Sequence, residues 1–352
     1  MQRDVVKTYY GETLQTSSDL KTDACSTLAA PARHVIDAIG AVHPDVAAKY
    51  YGCGLVVPPV LEGLNVLDLG CGAGRDVYVL SQLVGEGGFV TGVDMTKEQL
   101  SVAEDHRDWH ADAFGYGAPN TRFIEGYLEN LEELEIEPGS IDLIVSNCVI
   151  NLCTDKPAVF RAAHKFLKPG GELYFSDVYA DRRIPNVLAN DPVLYGECLS
   201  GALYWNDFMA IARANGFADP RTVEHRRLQI IDSAIRSVLE PIRFASVTAR
   251  LIKLESLEPA CEDYGQAVIY KGGIEGMEDV FELDAEHQIE KGRVFPVCGN
   301  TMAMLTETRF SPYFETIGNG ETHYGVFPGC AAPDVFADSV QPAALAPVGG
   351  CC

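Results

Sequence analysis

A doubly wound α/β sheet followed by a smaller α+β unit is the fold class that three observations predict for this chain of 352 residues. Short apolar runs alternate with helix-competent segments between Asn65 and Ser176, the order that parallel strands joined by crossover helices produce. The first of these runs, Val66 to Leu69, passes directly into the glycine turn Gly70-Cys71-Gly72-Ala73-Gly74. Beyond about Arg182 the alternation lapses, and strand-like segments return only at Ala267–Tyr270 and Val280–Leu283.

The elements follow in order. Residues 1 to about 60 read as helices with loops, closed off by Val57-Pro58-Pro59, where proline removes backbone donors and fixes φ. The strand Val66–Leu69 leads into a helix from Arg75 to about Val84. A strand at Phe89–Val93 is followed by a helix from Thr96 to about His110, and further strands are expected at Thr121–Glu125 and Ile141–Ser146. Ile141-Asp142-Leu143-Ile144-Val145 is nearly unbroken in its apolar character, as a strand buried on both faces requires. A helix over Lys156–Leu167, the turn Lys168-Pro169-Gly170-Gly171 and a strand Glu172–Ser176 complete the alternation, and a later helix, Asn206–Asn215, stops at Gly216. The expected division is an N-terminal helical segment 1–60 carrying Cys25 and Cys53, a core 61–235, a C-terminal α+β domain 236–335, and a flexible tail 336–352 rich in Ala and Pro. No internal repeat is found.

The formal charge of −23 argues against nucleic acid or an anionic membrane as partner, because binding phosphate requires positive potential. The opening Met1-Gln2-Arg3-Asp4-Val5-Val6-Lys7 lacks the apolar core of a signal peptide, and no run reaches the roughly 18 apolar residues of a membrane helix, so a cytoplasmic protein is expected. The 11 cysteines are odd in number and dispersed, unlike a secreted disulfide scaffold. In a reducing compartment they are mainly thiols, available as small hydrophobes, ligands or nucleophiles.

Gly70, Gly72 and Gly74 lack β-carbons, so backbone amides there can approach a ligand closely. A dinucleotide fingerprint would place glycine at position 75, where this chain has Arg75; Asp68 precedes the turn and Asp94 ends the next strand, where a carboxylate can accept both hydroxyls of a ribose. The pattern resembles class I S-adenosylmethionine methyltransferases with their Rossmann-like sheet, in which the acid before the glycines faces the amino-acid end of the cofactor.

Cys148, in Ser146-Asn147-Cys148-Val149, falls at the carboxyl end of the fourth strand; Cys53 lies between two glycines; Cys198 follows Glu197 past the last core strand; Cys25 stands in the N-terminal segment. Any one of these alone is as easily a small core residue. Structural zinc favours C-x-x-C pairs, which this chain lacks, whereas single thiols from separated segments suit a soft centre such as trivalent arsenic, which takes about three thiolates and keeps a lone pair.

Through Tyr50-Tyr51-Gly52-Cys53-Gly54-Leu55, Asp68-Leu69-Gly70, Gly74-Arg75-Asp76, Gly92-Val93-Asp94-Met95-Thr96, Ser146-Asn147-Cys148-Val149-Ile150-Asn151-Leu152, Gly171-Glu172-Leu173-Tyr174-Phe175-Ser176-Asp177 and Gly196-Glu197-Cys198, the chain resembles the arsenite S-adenosylmethionine methyltransferase family over roughly residues 8–330. The resemblance implies methylation of trivalent arsenic, with Cys148 and Cys198 as its most persistent ligands, Cys53 as third ligand or disulfide partner, and Cys25 in a redox relay. It also implies cofactor contacts from Tyr51, Asp68, Gly70, Gly72, Gly74, Arg75, Asp94, Met95, Asn147 and the Tyr127-Leu128 pair. Arsenite or its thiol conjugates would be the substrate, and a reductant of the glutathione or thioredoxin type the second partner. Cys71 departs from relatives with serine in the glycine turn and is read as packing; Cys153, Cys261, Cys298 and Cys330 receive no role; Cys351-Cys352 resembles the cysteine-containing tails of the family. The rival expectations are a quinone- or sterol-type methyltransferase with structural cysteines, and a soft-metal-sequestering protein that keeps a vestigial cofactor fold.

Overall fold

The computed structural model describes residues 31–50, 56–189, 191–196, 198–328 and 330. Helices α1 (Arg33–Gly40) and α2 (Pro44–Ala47) precede a sheet whose strand order is β3-β2-β1-β4-β5-β8-β7, with β6 paired to β5. Its strands are β1 (Asn65–Leu69), β2 (Phe89–Asp94), β3 (Thr121–Glu125), β4 (Ile141–Asn147), β5 (Leu167–Ala180), β6 (Leu203–Tyr204), β7 (Arg221–Arg227) and β8 (Phe244–Ile252). Strands β1 to β5 run parallel, with Val66 opposite Val90 on one side and Leu143 on the other; β8 runs antiparallel to both β5 and β7. The chain reverses between β1 and β4, which makes a switch point at their carboxyl ends, where ligands settle in such sheets.

Helices α3 (Arg75–Val84), α4 (Lys97–Asp105), α5 (Arg107–Phe114), α6 (Lys156–Phe166) and α8 (Trp205–Ala214) belong to the same unit, and the short α7 (Pro192–Gly196) and α9 (Ser233–Leu239) lie beside the cysteine-bearing loops. One apolar layer joins Leu67, Leu69, Ile144, Phe160, Phe175 and Phe208, and another joins Val66, Val77, Leu80, Val90, Leu143 and Val145. Alternate residues of β1 and β4 thus enter opposite layers, as the two-residue period of a strand demands.

Three expectations change. The helix from Thr96 to about His110 is two helices that meet at His106. The turn 168–171 is a bulge inside one long strand: β5 runs from Leu167 to Ala180, but its pairing with β4 jumps from Ile141↔Leu167 to Leu143↔Glu172, with Gly170 at φ +77°. The division after residue 235 falls inside the large sheet: β8 pairs with β5 from Glu172↔Ile252 to Ala180↔Phe244, so the separate unit begins after Ile252. Edge strand β7 reads Arg-Thr-Val-Glu-His-Arg-Arg, which carries no apolar alternation to announce it.

The smaller unit holds β9 (Ala267–Tyr270) between β12 (Val294–Pro296) and β13 (Phe314–Ile317), a hairpin of β10 (Val280–Asp284) and β11 (His287–Glu290), and helix α10 (Gly299–Thr306). Its core contains Tyr270, Phe281, Phe310 and Phe314. A buried ion triad fastens it to the sheet: Arg250 Nε donates to Glu172 at 2.6 Å, Arg309 Nη2 lies 2.5 Å from the other carboxylate oxygen, and Arg250 Nη1 donates to the Leu283 carbonyl at 2.6 Å.

Candidate active site

The glycine turn is held by the strand beside it. The N–H groups of Gly70 and Cys71 donate to the Val93 carbonyl at 2.7 and 3.1 Å, and the N–H groups of Gly72 and Thr96 donate to the two oxygens of Asp94 at 2.9 and 2.8 Å. Gly70, Gly72 and Gly74 have φ of +78°, +54° and +84°. The three positions differ in what surrounds them. A β-carbon on Gly70 would meet Val149 at 2.5 Å and one on Gly74 would meet Ala103 and Phe123 at 3.0 Å, whereas at Gly72 it would meet nothing within 4 Å among the described residues. Gly72 therefore borders open space, and that space is a cavity.

The cavity is lined by Asp68, Gly70, Gly72, Arg75, Asp94, Met95, Leu128, Asn147 and Cys148 from the residues the sequence pointed to. Gly74 instead begins helix α3, and Tyr127 stands exposed, so neither lines it. Cys25, Cys53 and Tyr51, together with the pair Cys351-Cys352, lie outside the described residues.

Asp68 is buried, and its Oδ2 has no hydrogen-bond partner among the described residues. Burial first, then the neighbouring carboxylates of Asp76 and Asp94, push its pKa well up. Asp94 is also pushed up by burial, opposed by the N–H groups of Thr96 and Gly72. Such a cluster of acids favours a cationic ligand.

Lys49, Tyr50, Asp76, Gln99, Glu129 and Cys153 also line the cavity, although none of them was assigned a role from the sequence. Tyr50 and Asp76 close a network: Asn147 Nδ2 donates to the Tyr50 hydroxyl at 2.8 Å and to Asp76 Oδ2 at 3.1 Å, Arg75 Nη1 donates to Asp76 Oδ1 at 2.6 Å, and the Arg75 guanidinium lies 3.9 Å from the Tyr50 ring centroid. These residues come from three separated segments, so spacing alone gave no signal for them.

Beyond Asn147 the chain turns sharply. Cys148 has φ +59° and its N–H donates to the Ser176 carbonyl at 2.8 Å; Cys198, 50 residues later, also has φ +59°. Its Sγ lies 3.5 Å from the Cys148 carbonyl oxygen, to which the thiol donates. Both cysteines are buried beside Leu152, Val178, Leu194 and Tyr195, and Met95 packs on this cluster while also lining the cavity. Cys148 is disulfide-bonded, whereas Cys198 keeps its thiol.

Polar support comes from β5. Asp177 accepts the Asn151 N–H at 2.9 Å and Asn151 Nδ2 at 2.6 Å, and burial nevertheless pushes its pKa up to about 6. Lys156 donates to the Cys153 carbonyl at 2.9 Å; burial lowers its pKa, while Cys153, Asp177 and Cys198 act electrostatically in the opposite sense.

A glycine turn at the sheet's switch point, an acid at the end of β2 and an antiparallel β8 between β5 and β7 define a class I S-adenosylmethionine-dependent methyltransferase, and a methyltransferase-domain family model matches residues 61–216. A second family model, the arsenite methyltransferase C-terminal domain, matches residues 264–347. The chain is 59% identical over 325 residues, 92% of this chain and 93% of the relative, to an arsenite methyltransferase of Aquipseudomonas alcaligenes. It is 46% identical over 317 residues, 89% of this chain and 83% of the relative, to an arsenite methyltransferase of Homo sapiens. Among solved structures, an arsenic(III) S-adenosylmethionine methyltransferase from Chlamydomonas reinhardtii superposes with a TM-score of 0.82 at 47% identity, over 85% of this chain and all of that one (100%). The chain belongs to the arsenite methyltransferase family.

Proposed function

We propose that this chain methylates trivalent arsenic held by cysteine thiolates, with S-adenosylmethionine as methyl donor, in a reducing cytoplasmic compartment where the reaction detoxifies arsenic. The observation that carries the reading is the approach of Cys198 Sγ to within 3.5 Å of the Cys148 backbone at the edge of the cofactor cavity. Bystander cysteines packed as hydrophobes have no reason to be held at positive φ, a conformation that costs non-glycine residues about 1–3 kcal/mol.

The cavity fits the donor. Its acids, led by the buried Asp68, would face the cationic amino-acid end. Asp94 retains a second lone pair on each oxygen for the ribose hydroxyls, and Leu128 supplies an apolar wall for the adenine. When bound, S-adenosylmethionine supplies an electrophilic methyl group.

The protein's own part is to bind and orient arsenic. With arsenite, each thiol that binds forms an As–S bond and releases one water, with no change of oxidation state. Cys148 and Cys198 are the proposed ligands, with Cys53 as a third and Cys25 in the relay that restores the thiols. Because Cys148 is disulfide-bonded here, two electrons and two protons from a reductant of the glutathione or thioredoxin type must free it before it can ligate. Arsenic in this position presents a lone pair, so no general base is required, and positioning carries most of the acceleration. The buried Leu152, Val178 and Leu194 exclude water from the ligands.

Mass spectrometry of arsenic species after incubation with S-adenosylmethionine, arsenite and thiol tests the reading. Methylated arsenicals are expected, and methylation of an organic acceptor with arsenite left untouched would overturn it.

A further inference from the structure

Cys261, Cys298 and Cys330 meet in the smaller unit, outside the catalytic cavity, although they are far apart in the chain. Backbone bonds bring them together. Glu262 pairs with Val326 in an antiparallel bridge, and the Phe327 N–H donates to the Cys261 carbonyl at 2.7 Å. The Cys330 N–H donates to the Phe327 carbonyl at 3.1 Å, closing a turn that carries Cys330 back toward Cys261. On the other side the Gly299 N–H donates to the Glu262 carbonyl at 2.8 Å and places Cys298, the residue that begins helix α10, against the same strand.

The side chains complete the arrangement. Cys261 stands between the other two: burial first, and then the neighbouring thiols of Cys298 and Cys330, push its pKa up. Cys298 is buried, and its sulfur accepts the Thr301 N–H at 3.5 Å; Cys261 is half-buried and Cys330 exposed, so the three sulfurs grade from core to solvent. The adjoining carboxylate, Glu262, is engaged by His323 at 3.0 Å.

We propose that Cys261, Cys298 and Cys330 form a second thiol site, separate from the catalytic pair, that takes a trivalent arsenical through three sulfur ligands. The donors are all soft, which selects a thiophilic ion over oxygen-seeking cations. Three sulfurs satisfy a pyramidal arsenic centre, whereas a structural zinc site is almost always four-coordinate. The three sulfurs are not yet all within 4.8 Å of one another. Cys330, exposed at its turn, is the ligand that moves in, while Cys261 and Cys298 are held by the backbone bonds above. Binding of arsenite breaks three S–H and three As–OH bonds, forms three As–S bonds and releases three waters, with no electron transferred. The identity of the ligand rests on the proposed function; the existence of the site rests on the thiol cluster alone.

The test is the arsenic content of the full-length reduced chain after equilibrium dialysis against arsenite, compared for wild type, Cys261→Ser, Cys330→Ser and Cys148→Ser. Cys261→Ser and Cys330→Ser are each expected to lose one arsenic per chain relative to wild type, with unchanged methylation turnover and an unchanged thermal melt. Cys330→Ser keeps the test decisive should Cys261→Ser fold poorly, because its side chain is exposed. Wild-type arsenic content in Cys330→Ser overturns the site, and if Cys148→Ser alone loses arsenic the catalytic reading stands without it. Absence of arsenic from wild type overturns both readings. Stoichiometric zinc that copurifies with wild type but is lost from Cys330→Ser overturns the metalloid assignment.

Discussion

The Cys198 thiol donates to the backbone carbonyl of Cys148 at 3.5 Å, and both residues hold φ at +59°. The same left-handed conformation thus recurs at two positions 50 residues apart, one after β4 and one after α7, and turns both cysteines toward one buried cluster. A serine at either position keeps the size of the side chain and removes the soft donor. Cys148→Ser and Cys198→Ser are each expected to cut methyl transfer to arsenite by about 10²-fold or more, the scale for misplacing a reacting centre, while S-adenosylmethionine binding measured by calorimetry stays unchanged. Full turnover in either variant would remove that residue from the site.

The glycine turn offers a separation of binding from stability. Gly72→Ala puts a methyl group into open space beside the cavity, so cofactor binding should weaken while the thermal melt falls by only the ~1 kcal/mol of a left-handed alanine. Gly70→Ala drives its β-carbon to 2.5 Å from Val149, and a loss of about 2–5 kcal/mol is expected from backbone strain and overpacking together. Urea denaturation and cofactor titration on the two variants read both effects, and equal stability losses would contradict the geometry.

Glu172 lies fully buried between Arg250 and Arg309. Burial alone would push its carboxyl up, but the two guanidiniums outweigh this and hold it below its ordinary value. Arg250→Met leaves this charge half-compensated and should destabilise the fold by about 3–5 kcal/mol in urea melts; the Glu172→Gln change added to it should recover part of the loss. Because the folded carboxyl titrates low, its contribution is present at neutral pH and is lost as pH falls through the folded pKa.

His110 stacks on Tyr78 with ring centroids 3.5 Å apart; its Nδ1 donates to the His106 carbonyl at 2.8 Å and its Nε2 accepts the His43 N–H at 3.1 Å. A proton on Nε2 would oppose that N–H, and burial lowers the pKa from 6.5 to about 4. The folded state therefore favours the neutral ring. Between pH 6.5 and about 4 the unfolded chain takes up the proton first, so stability falls across that window and levels off below it. Thermal melts of wild type and His110→Phe should diverge as pH drops through this range, and parallel curves would show that the ring is not the titrating group.

Much of the sheet was legible because its signals are local. Val66–Leu69, Thr121–Glu125 and Ala267–Tyr270 are apolar or alternating runs with clear ends, and helix Arg75–Val84 begins and ends at glycines. Strand β7 was not, since an edge strand with four charged residues among seven shows no buried face in its pattern. Strand β8 was missed as well: Arg250 interrupts its apolar run, and only the partner Glu172, 78 residues away, explains how a charge survives there. The cofactor turn and its acids could be read directly, because glycine's lack of a β-carbon and the placement of Asp68 and Asp94 are properties of neighbouring residues.

By itself the sequence determined the order of strands and helices from β1 to β5, the glycine turn with its flanking acids, and the family to which its motifs belong. Tertiary structure alone decided which thiols meet. Cys198 reaches the Cys148 carbonyl, backbone bonds draw Cys261, Cys298 and Cys330 into one corner of the smaller unit, and Tyr50 and Asp76 join Asn147 across the cavity. The physical reason is range: backbone propensity and apolar periodicity act over a few residues, whereas a ligand set is assembled by sheet register and loop closure between segments whose separation in sequence carries no record of their distance in space.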